Sequence, residues 1–529
     1  MNDLPQELIN RIVWFAERYP DEKWHVAIGQ SKNKSPSQFP RLAILNHAWK
    51  EAVETITFYS VSIAGDELEE FSSIVTGHRR KYLFRLGFKA LLPEYSYEAC
   101  GRVESRTEQH LNSEAFAKGI YNLFAVLKAW EDDGLNTALV LEIRAPASPT
   151  DDRMSSPKYD DIRMDIALRK RTDILYHRWD DSVLQLLKPD LCPVLHNVRA
   201  LHIDGNGSRR MASRVAPDLS ISLPNLEIVD WTFPGYDLEL SEEDSDSDLS
   251  VSDASSEAES MQAIVAPANR RREDRTAFAD ALRKTKLQPR SSIMISFYHS
   301  GPFDQRPTHP SVVPPELTYD PFSSALRNFS QNATTLDLDA QLDSTLFWPS
   351  PDEQNTSIPV WPHLKTLDIK LSMVSPSGEW YFTGPRPLDN IEDDPRRGII
   401  GGDVAPGYSY CEFRAYPDPE TFDPFLAALA KAVANMPVLD HFMLACKLKG
   451  PTGKLLISYD APGIGSECGG EGPGDLEHRR VYYACEVGKV WMPDPKTAEG
   501  LRDAGRAKYG GEVIEQFLGS LYDQDWNET

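Results

Sequence analysis

Glycines, cysteines, histidines and clustered acids are the residues of this sequence whose spacing could support chemistry. Gly463-Ile464-Gly465-Ser466-Glu467-Cys468 begins as a dinucleotide-binding loop does, where small residues let the backbone approach a pyrophosphate at a helix N-terminus. Here Cys468 takes the last glycine position and no helical pattern follows. Gly450-Pro451-Thr452-Gly453-Lys454 lacks the four-residue interval of a phosphate loop, and Leu455 stands where a hydroxyl would hold a metal, so the segment reads as a hairpin turn. No Gly-x-Ser-x-Gly elbow or His-Glu-x-x-His helix occurs. Cys100, Cys192, Cys411, Cys446, Cys468 and Cys485 show no CxxC spacing, and the 12 histidines do not cluster at ligand intervals. No catalytic, cofactor-binding or metal-binding residue is assigned on these patterns, and the chain is read as a non-enzyme.

Charge narrows the partners. Between Asp237 and Glu259 lie ten acidic residues and no Lys or Arg, so this stretch carries ten of the 24 net negative charges. A net-acidic surface opposes an extended nucleic-acid footprint, which needs clustered cations. The short basic runs are Arg79-Arg80-Lys81, beside Tyr82 and Leu83 at a strand entrance, and Arg270-Arg271-Arg272; the first is read as structural. Ser241, Ser245 and Ser250 each precede acidic residues, a context suited to an acidophilic kinase, although a solvating insertion is the simpler reading. No run approaches the roughly 18 apolar residues of a membrane span, and charge and proline fall within the first eleven residues, unlike a signal peptide. An intracellular setting, cytoplasmic or nuclear, is expected, with neither nucleic acid nor membrane as a partner.

The elements at the N-terminus carry more information. Pro5 suits a helix start, and Leu8, Ile9, Ile12, Val13, Phe15 and Ala16 recur at helical spacing with Glu7, Asn10, Arg11 and Glu17 between them. A second stripe comprises Leu42, Leu45, Trp49, Val53 and Ile56, with Lys50, Glu51 and Glu54 opposite. Two short amphipathic helices cannot bury both stripes alone. They pack either on the body of the protein or on a partner.

Leu4-Pro5 followed by Glu7-Leu8, an apolar Ile12, and a second helical stretch with Leu42 and Trp49 leading to Phe58 resemble an F-box of the fungal type. The segment between Arg18 and Gln38 is longer than the turn usual in that family. The resemblance implies that Leu4, Pro5, Leu8, Ile12, Leu42 and Trp49 bind the Skp-type adaptor of a cullin–RING ubiquitin ligase, an SCF-type assembly.

Beyond residue 60 a pattern recurs: an apolar residue, two others, an apolar, one other, an apolar. It appears at Leu83/Leu86/Phe88, Val198/Leu201/Ile203, Leu226/Val229/Trp231, Ala333/Leu336/Leu338, Leu364/Leu367/Ile369 and Leu439/Phe442/Leu444. This resembles the strand of a leucine-rich repeat, in which the last two apolar positions stack on their equivalents in the next coil. Leu223-Pro224-Asn225, Trp361-Pro362-His363 and Asn435-Met436-Pro437 form similar lead-ins. Spacing between copies is uneven, and the Asn that closes such a strand occurs only as Asn206, so the repeat is degenerate with insertions.

Helices fall between the strands. Ser113 is read as the cap of a helix over 114–131, Thr137 to Ile143 as a strand, and Thr421 or Asp423 as the start of a helix through Val433. Residues 145–165 and 237–275 are polar and acidic enough to stay loose, and Gly463 to Gly474 is a loop before a strand over Arg480 to Cys485. The expected fold is α/β: an F-box-like helical unit over 1–60, then an irregular leucine-rich-repeat-like solenoid over 61–529, with a disordered acidic, Ser-rich insertion at 237–275. The expected function is that of a substrate-recognition subunit, holding an unidentified target protein on the repeat domain. Trp348, Trp380 and Tyr381 are candidate target contacts, with buried packing as their alternative role. The rival to this reading is a scaffold whose N-terminal helices only cap the repeat domain.

Overall fold

In the computed structural model, all six copies of the recurring apolar pattern lie on or lead into strands of parallel sheet, and their last two apolar positions pair in register. The structure describes residues 4–18, 39–96, 99–100, 102–134, 136–154, 178–179, 182–205, 209–235, 256–298, 305–306, 308–354, 357–384, 413–448, 453–465, 475–485 and 491–518. These form two compact units, Met1–Arg209 and Arg210–Thr529.

The first unit contains strands β1 (Ser60–Ala64), β2 (Arg85–Leu91), β3 (Leu139–Ala147) and β4 (Val198–Asp204), all parallel and adjacent in chain order. Side chains alternate between the two faces of a strand. Val61, Leu86, Leu141 and Leu201 therefore form one apolar row, and Ile63, Phe88, Ile143 and Ile203 the next. Helices α1 (Gln6–Arg18), α2 (His47–Thr57), α3 (Leu68–Ile74) and α4 (Arg106–Asp132) belong to this unit. Helix α4 buries Phe116, Ile120, Leu123, Phe124, Leu127 and Trp130, and Gly119 lets it approach Phe88 and Ala90 of β2.

That helix begins earlier than the Ser113 cap expected from sequence. Ser105 and Glu108 form a capping box, in which the Ser105 hydroxyl accepts from Glu108 N at 3.3 Å and Glu108 accepts from Ser105 N at 2.9 Å. Ser113 is buried inside the helix, where its hydroxyl accepts from Gln185 N. The segment over 145–165, expected to be loose, carries the end of β3 and a short helix at Pro149–Met154; its remainder lies outside the described residues.

The second unit contains β5 (Ile228–Pro234), β6 (Ser291–Tyr298), β7 (Ala333–Ala340), β8 (Thr366–Leu371), β9 (His441–Lys447), β10 (Lys454–Asp460), β11 (Arg479–Cys485) and β12 (Val513–Leu518). Pairing is parallel from β5 to β9, antiparallel through β9–β10–β11, and parallel again between β11 and β12. Val229, Ile293, Leu336, Leu367 and Phe442 form one buried row, and Trp231, Ile295, Leu338, Ile369 and Leu444 the next. Helices α5 (Ser256–Leu282), α6 (Pro321–Ser330), α7 (Phe422–Val433) and α8 (Pro495–Arg502) accompany these strands. Phe278 of α5 and Phe322 of α6 meet Phe297 of β6 edge-on, at ring separations of 5.7 and 5.4 Å.

The chain is thus mixed α/β, with a large, mostly parallel sheet and helices, and its strands do not close into a barrel. A further expectation changes. The second half of the 237–275 segment is helical, since α5 starts at Ser256, while 237–255, with Ser241, Ser245 and Ser250, lies outside the described residues. Asn206 also lies outside them. Among the described residues no helix is long and apolar enough to cross a membrane.

Two loop readings are resolved by hydrogen bonds. Strands β9 and β10 form the hairpin expected around Gly450–Lys454: Lys447 pairs with Lys454, and Leu448 N donates to Gly453 O at 2.9 Å. Gly463, the first glycine of the dinucleotide-like run, occupies a turn at φ +82°, and Arg480 donates to the carbonyls of Ala461 and Ile464 around it. Ser466, Glu467 and Cys468 lie outside the described residues.

Candidate docking surface on the N-terminal helices

Helix α1 is apolar on two faces, and one of them is covered. Ile9 and Val13, one turn apart, are 2% and 0% exposed and form a small core with Trp49, Ala52 and Val53 of α2, against which Leu42, Ala43, Ala48 and Ile56 pack. Full burial of a Val or Ile side chain is worth about 1.5–3 kcal/mol, enough to hold two short helices that would be marginal separately. Asn46 supplies the α2 N-cap, its side-chain oxygen accepting from Trp49 N at 3.1 Å. Gln6 Nε2 ties the start of α1 to Ala48 O at 3.2 Å.

Leu8 and Ile12 lie on the flank of α1 next to this core and are 45% and 42% exposed. Leu4, one turn before Leu8, is also exposed, as are Trp14 on the same helix and Ile44 and Leu45 at the end of the 3₁₀ turn Phe39–Ile44. A concentration of large apolar side chains on so short a segment marks an interaction surface more often than an isolated exposed leucine does.

The six residues expected to bind an adaptor therefore separate by position. Leu4, Pro5, Leu8 and Ile12 are exposed, Leu42 is half-buried against the two-helix core, and Trp49 is part of that core at 4% exposure. Pro5 precedes the first helical residue, and its carbonyl accepts from Leu8 N and Ile9 N. Spacing alone put Trp49 and Leu8 in one class; burial distinguishes the residue that builds the surface from the residues that present it. Asn46 was not anticipated, although an Asn three residues before a buried Trp is a recognisable capping signal.

A charged clamp fixes the far end of α2. Glu54, 9% exposed in its side chain, accepts from Arg79 at 2.7 and 3.2 Å and meets His78 Nε2 at 2.9 Å. Burial raises the Glu54 carboxyl, but hydrogen bonds from Arg79 and His78 outweigh it and hold the pKa below the usual range. Arg79 also stacks on Phe58, and Arg80 lies over the Trp130 ring while pairing with Asp133 at 2.8 Å. Arg79 and Arg80 of the basic run are structural, as expected, and tie α2 to the end of α3 and to α4.

Of the aromatic residues considered as target contacts, Trp380 and Tyr381 are buried, and the Tyr381 hydroxyl donates to Leu342 O at 2.7 Å. Packing is their role. Trp348 is half-buried, with the Lys431 ammonium over its ring.

No family model and no curated protein matches this chain.

Proposed function

We propose that this chain is the substrate-recognition subunit of an SCF-type cullin–RING ubiquitin ligase. Its N-terminal helices bind the Skp-type adaptor through Leu4, Pro5, Leu8 and Ile12, flanked by Leu42, with Trp49 as the core that orients them. The in-register apolar rows support reading the strands as an irregular leucine-rich-repeat-like solenoid, which holds a target protein. No bond is made or broken by this chain in such a role. It raises the effective concentration of target lysines near the conjugating enzyme.

The observation that carries the reading is the exposure of Leu8 and Ile12 beside the buried Ile9 and Val13. A helix that served as a cap alone would turn its apolar flank inward. The scaffold alternative draws its support from Trp49 and from the Glu54 clamp, which fasten the helices to the unit whether or not an adaptor binds.

A pull-down with purified Skp-type adaptor tests the proposal, comparing the unaltered chain with a Leu8→Asp, Ile12→Asp double variant. Adaptor is expected to be retained by the first and lost by the second while both remain folded. Failure of the unaltered chain to retain adaptor would sink the receptor reading and leave the scaffold.

A further inference from the structure

The sheet of the second unit ends at β12, which pairs in parallel with β11 from Arg479–Val513 to Ala484–Leu518. Among the described residues no strand pairs with the outer edge of β12. An edge strand presents a row of unpaired backbone N–H and C=O groups, and proteins commonly guard that row with proline, lysine, a bulge or a covering element. The sequence Val513-Ile514-Glu515-Gln516-Phe517-Leu518 contains neither proline nor lysine, and its register with β11 is unbroken. Val513 to Phe517 are each half-exposed, and Val, Ile and Phe are the residue types that favour strand pairing.

Glu515 is the only charged residue of the strand, and it is turned onto its own chain. It accepts from Arg502 Nε of α8 at 2.8 Å and from the Tyr483 hydroxyl of β11 at 3.3 Å. The Tyr483 ring also stacks on Phe517 at a separation of 5.0 Å. A carboxylate neutralised in this way repels an incoming strand less than an unpaired one does.

A second copy of the strand fits this edge. Two copies related by a two-fold axis through the sheet run antiparallel, and residues directly opposite each other lie on the same face, so the axis passes through a residue and not between two. Centring on Glu515 sets the two carboxylates opposite each other. Centring on Ile514 runs past Val513, where the strand begins. Centring on Gln516 uses five strand residues, sets Ile514 opposite Leu518 and Glu515 opposite Phe517, and brings no like charges together.

We propose that two copies of this chain join through the outer edges of β12, antiparallel and centred on Gln516, so that their second-unit sheets become continuous. This pairing goes beyond the receptor reading and does not depend on it.

Sedimentation velocity of the full chain between about 1 and 100 µM tests the proposal, and a dimer fraction that rises with concentration is expected. Gln516→Lys sets two ammonium groups opposite each other and is expected to weaken the dimer at least about tenfold. Asn332→Lys, at an exposed position elsewhere on the second unit, leaves it unchanged. Gln516→Cys is expected to cross-link to its counterpart with a short bismaleimide. Glu512→Cys lies four residues from the axis, hence about 26 Å from its counterpart, and is not. The unaltered chain is the blank for both. A chain that stays monomeric throughout the range, a dimer that Gln516→Lys leaves intact, or cross-linking at 512 and not at 516 overturns the proposal; thermal unfolding of each variant separates lost pairing from lost fold.

Discussion

His441 of β9 stands between carboxylates on both neighbouring strands: its Nδ1 is 2.7 Å from Oδ1 of Asp460 on β10, and its Nε2 is 3.3 Å from Oδ1 of Asp368 on β8. This is where parallel pairing gives way to antiparallel pairing. Burial alone would lower the imidazole pKa, but hydrogen bonds to Asp368 and Asp460 outweigh it and carry the value from 6.5 to about 9. The proton is held more tightly in the folded chain than in the unfolded one. The stabilisation is therefore complete below pH 6.5 and disappears as pH rises through about 9. Allowing for solvent screening, its size is about 1–2 kcal/mol. Urea unfolding followed from pH 6 to 10 is expected to show this decline in the unaltered chain, and His441→Gln is expected to flatten it.

Arg209 and Glu104 form a deeply buried ion pair of the first unit, with side chains 1% and 0% exposed, and Arg178 lies 3.7 Å from the same carboxylate. Arg209 Nε also donates to Asp151 Oδ2 at 3.2 Å, and its guanidinium lies over the Trp179 ring. Breaking a buried pair from one side leaves a charge without its partner, at a cost of about 3–5 kcal/mol. Arg209→Ala is expected to lower stability by that amount in urea unfolding. Arg506→Ala, which breaks an exposed pair with Asp503, should stay within about 0.5 kcal/mol of the unaltered chain.

Tyr459 and Gly505 are matched in shape. Gly505 sits at φ +65°, and a Cβ there would come within 1.7 Å of the Tyr459 hydroxyl oxygen. Both effects oppose a side chain, so Gly505→Ala is expected to cost about 2–4 kcal/mol through overpacking and backbone strain. The Tyr459 hydroxyl itself is buried and has no hydrogen-bond partner. Tyr459→Phe should therefore leave the thermal midpoint unchanged or raise it slightly.

The two apolar faces of α1 predict opposite responses to truncation. Leu8→Ala removes exposed surface and should change stability by less than about 0.5 kcal/mol. Trp49→Ala empties the centre of the two-helix core and should cost about 3–5 kcal/mol. Hydrogen exchange resolved to residues 6–18 and 47–57 is the appropriate measurement, because the second variant should expose those amides while β2 to β4 remain protected.

The sheet was largely legible in the sequence because its signal is local. Leu336 and Leu338, or Leu367 and Ile369, announce a strand and the face it buries without knowledge of any neighbour. The strands absent from the six matches explain the limit. Arg290 in front of β6 stands where the six copies carry a buried apolar residue, and it has a positive φ of 67°. Helix boundaries depended on side chains competing for one role: Ser113 reads as a cap, but Ser105 takes that role because Glu108 completes a capping box with it. On the candidate surface, spacing identified apolar residues but could not say which were covered. Leu8 and Ile9 are adjacent in the chain and differ in exposure because α2 packs against one flank of α1 and not the next.

Within each unit the order of strands across the sheet is the order in which the chain is synthesised. No later strand has to open an existing pair to reach its place. Each segment leaving the ribosome can therefore dock on an edge already formed, at translation rates of about 5–20 residues per second. For a chain with so many parallel strands, whose pairing is otherwise slow and exposes sticky edges, this vectorial assembly shortens the time any edge stays open to another molecule.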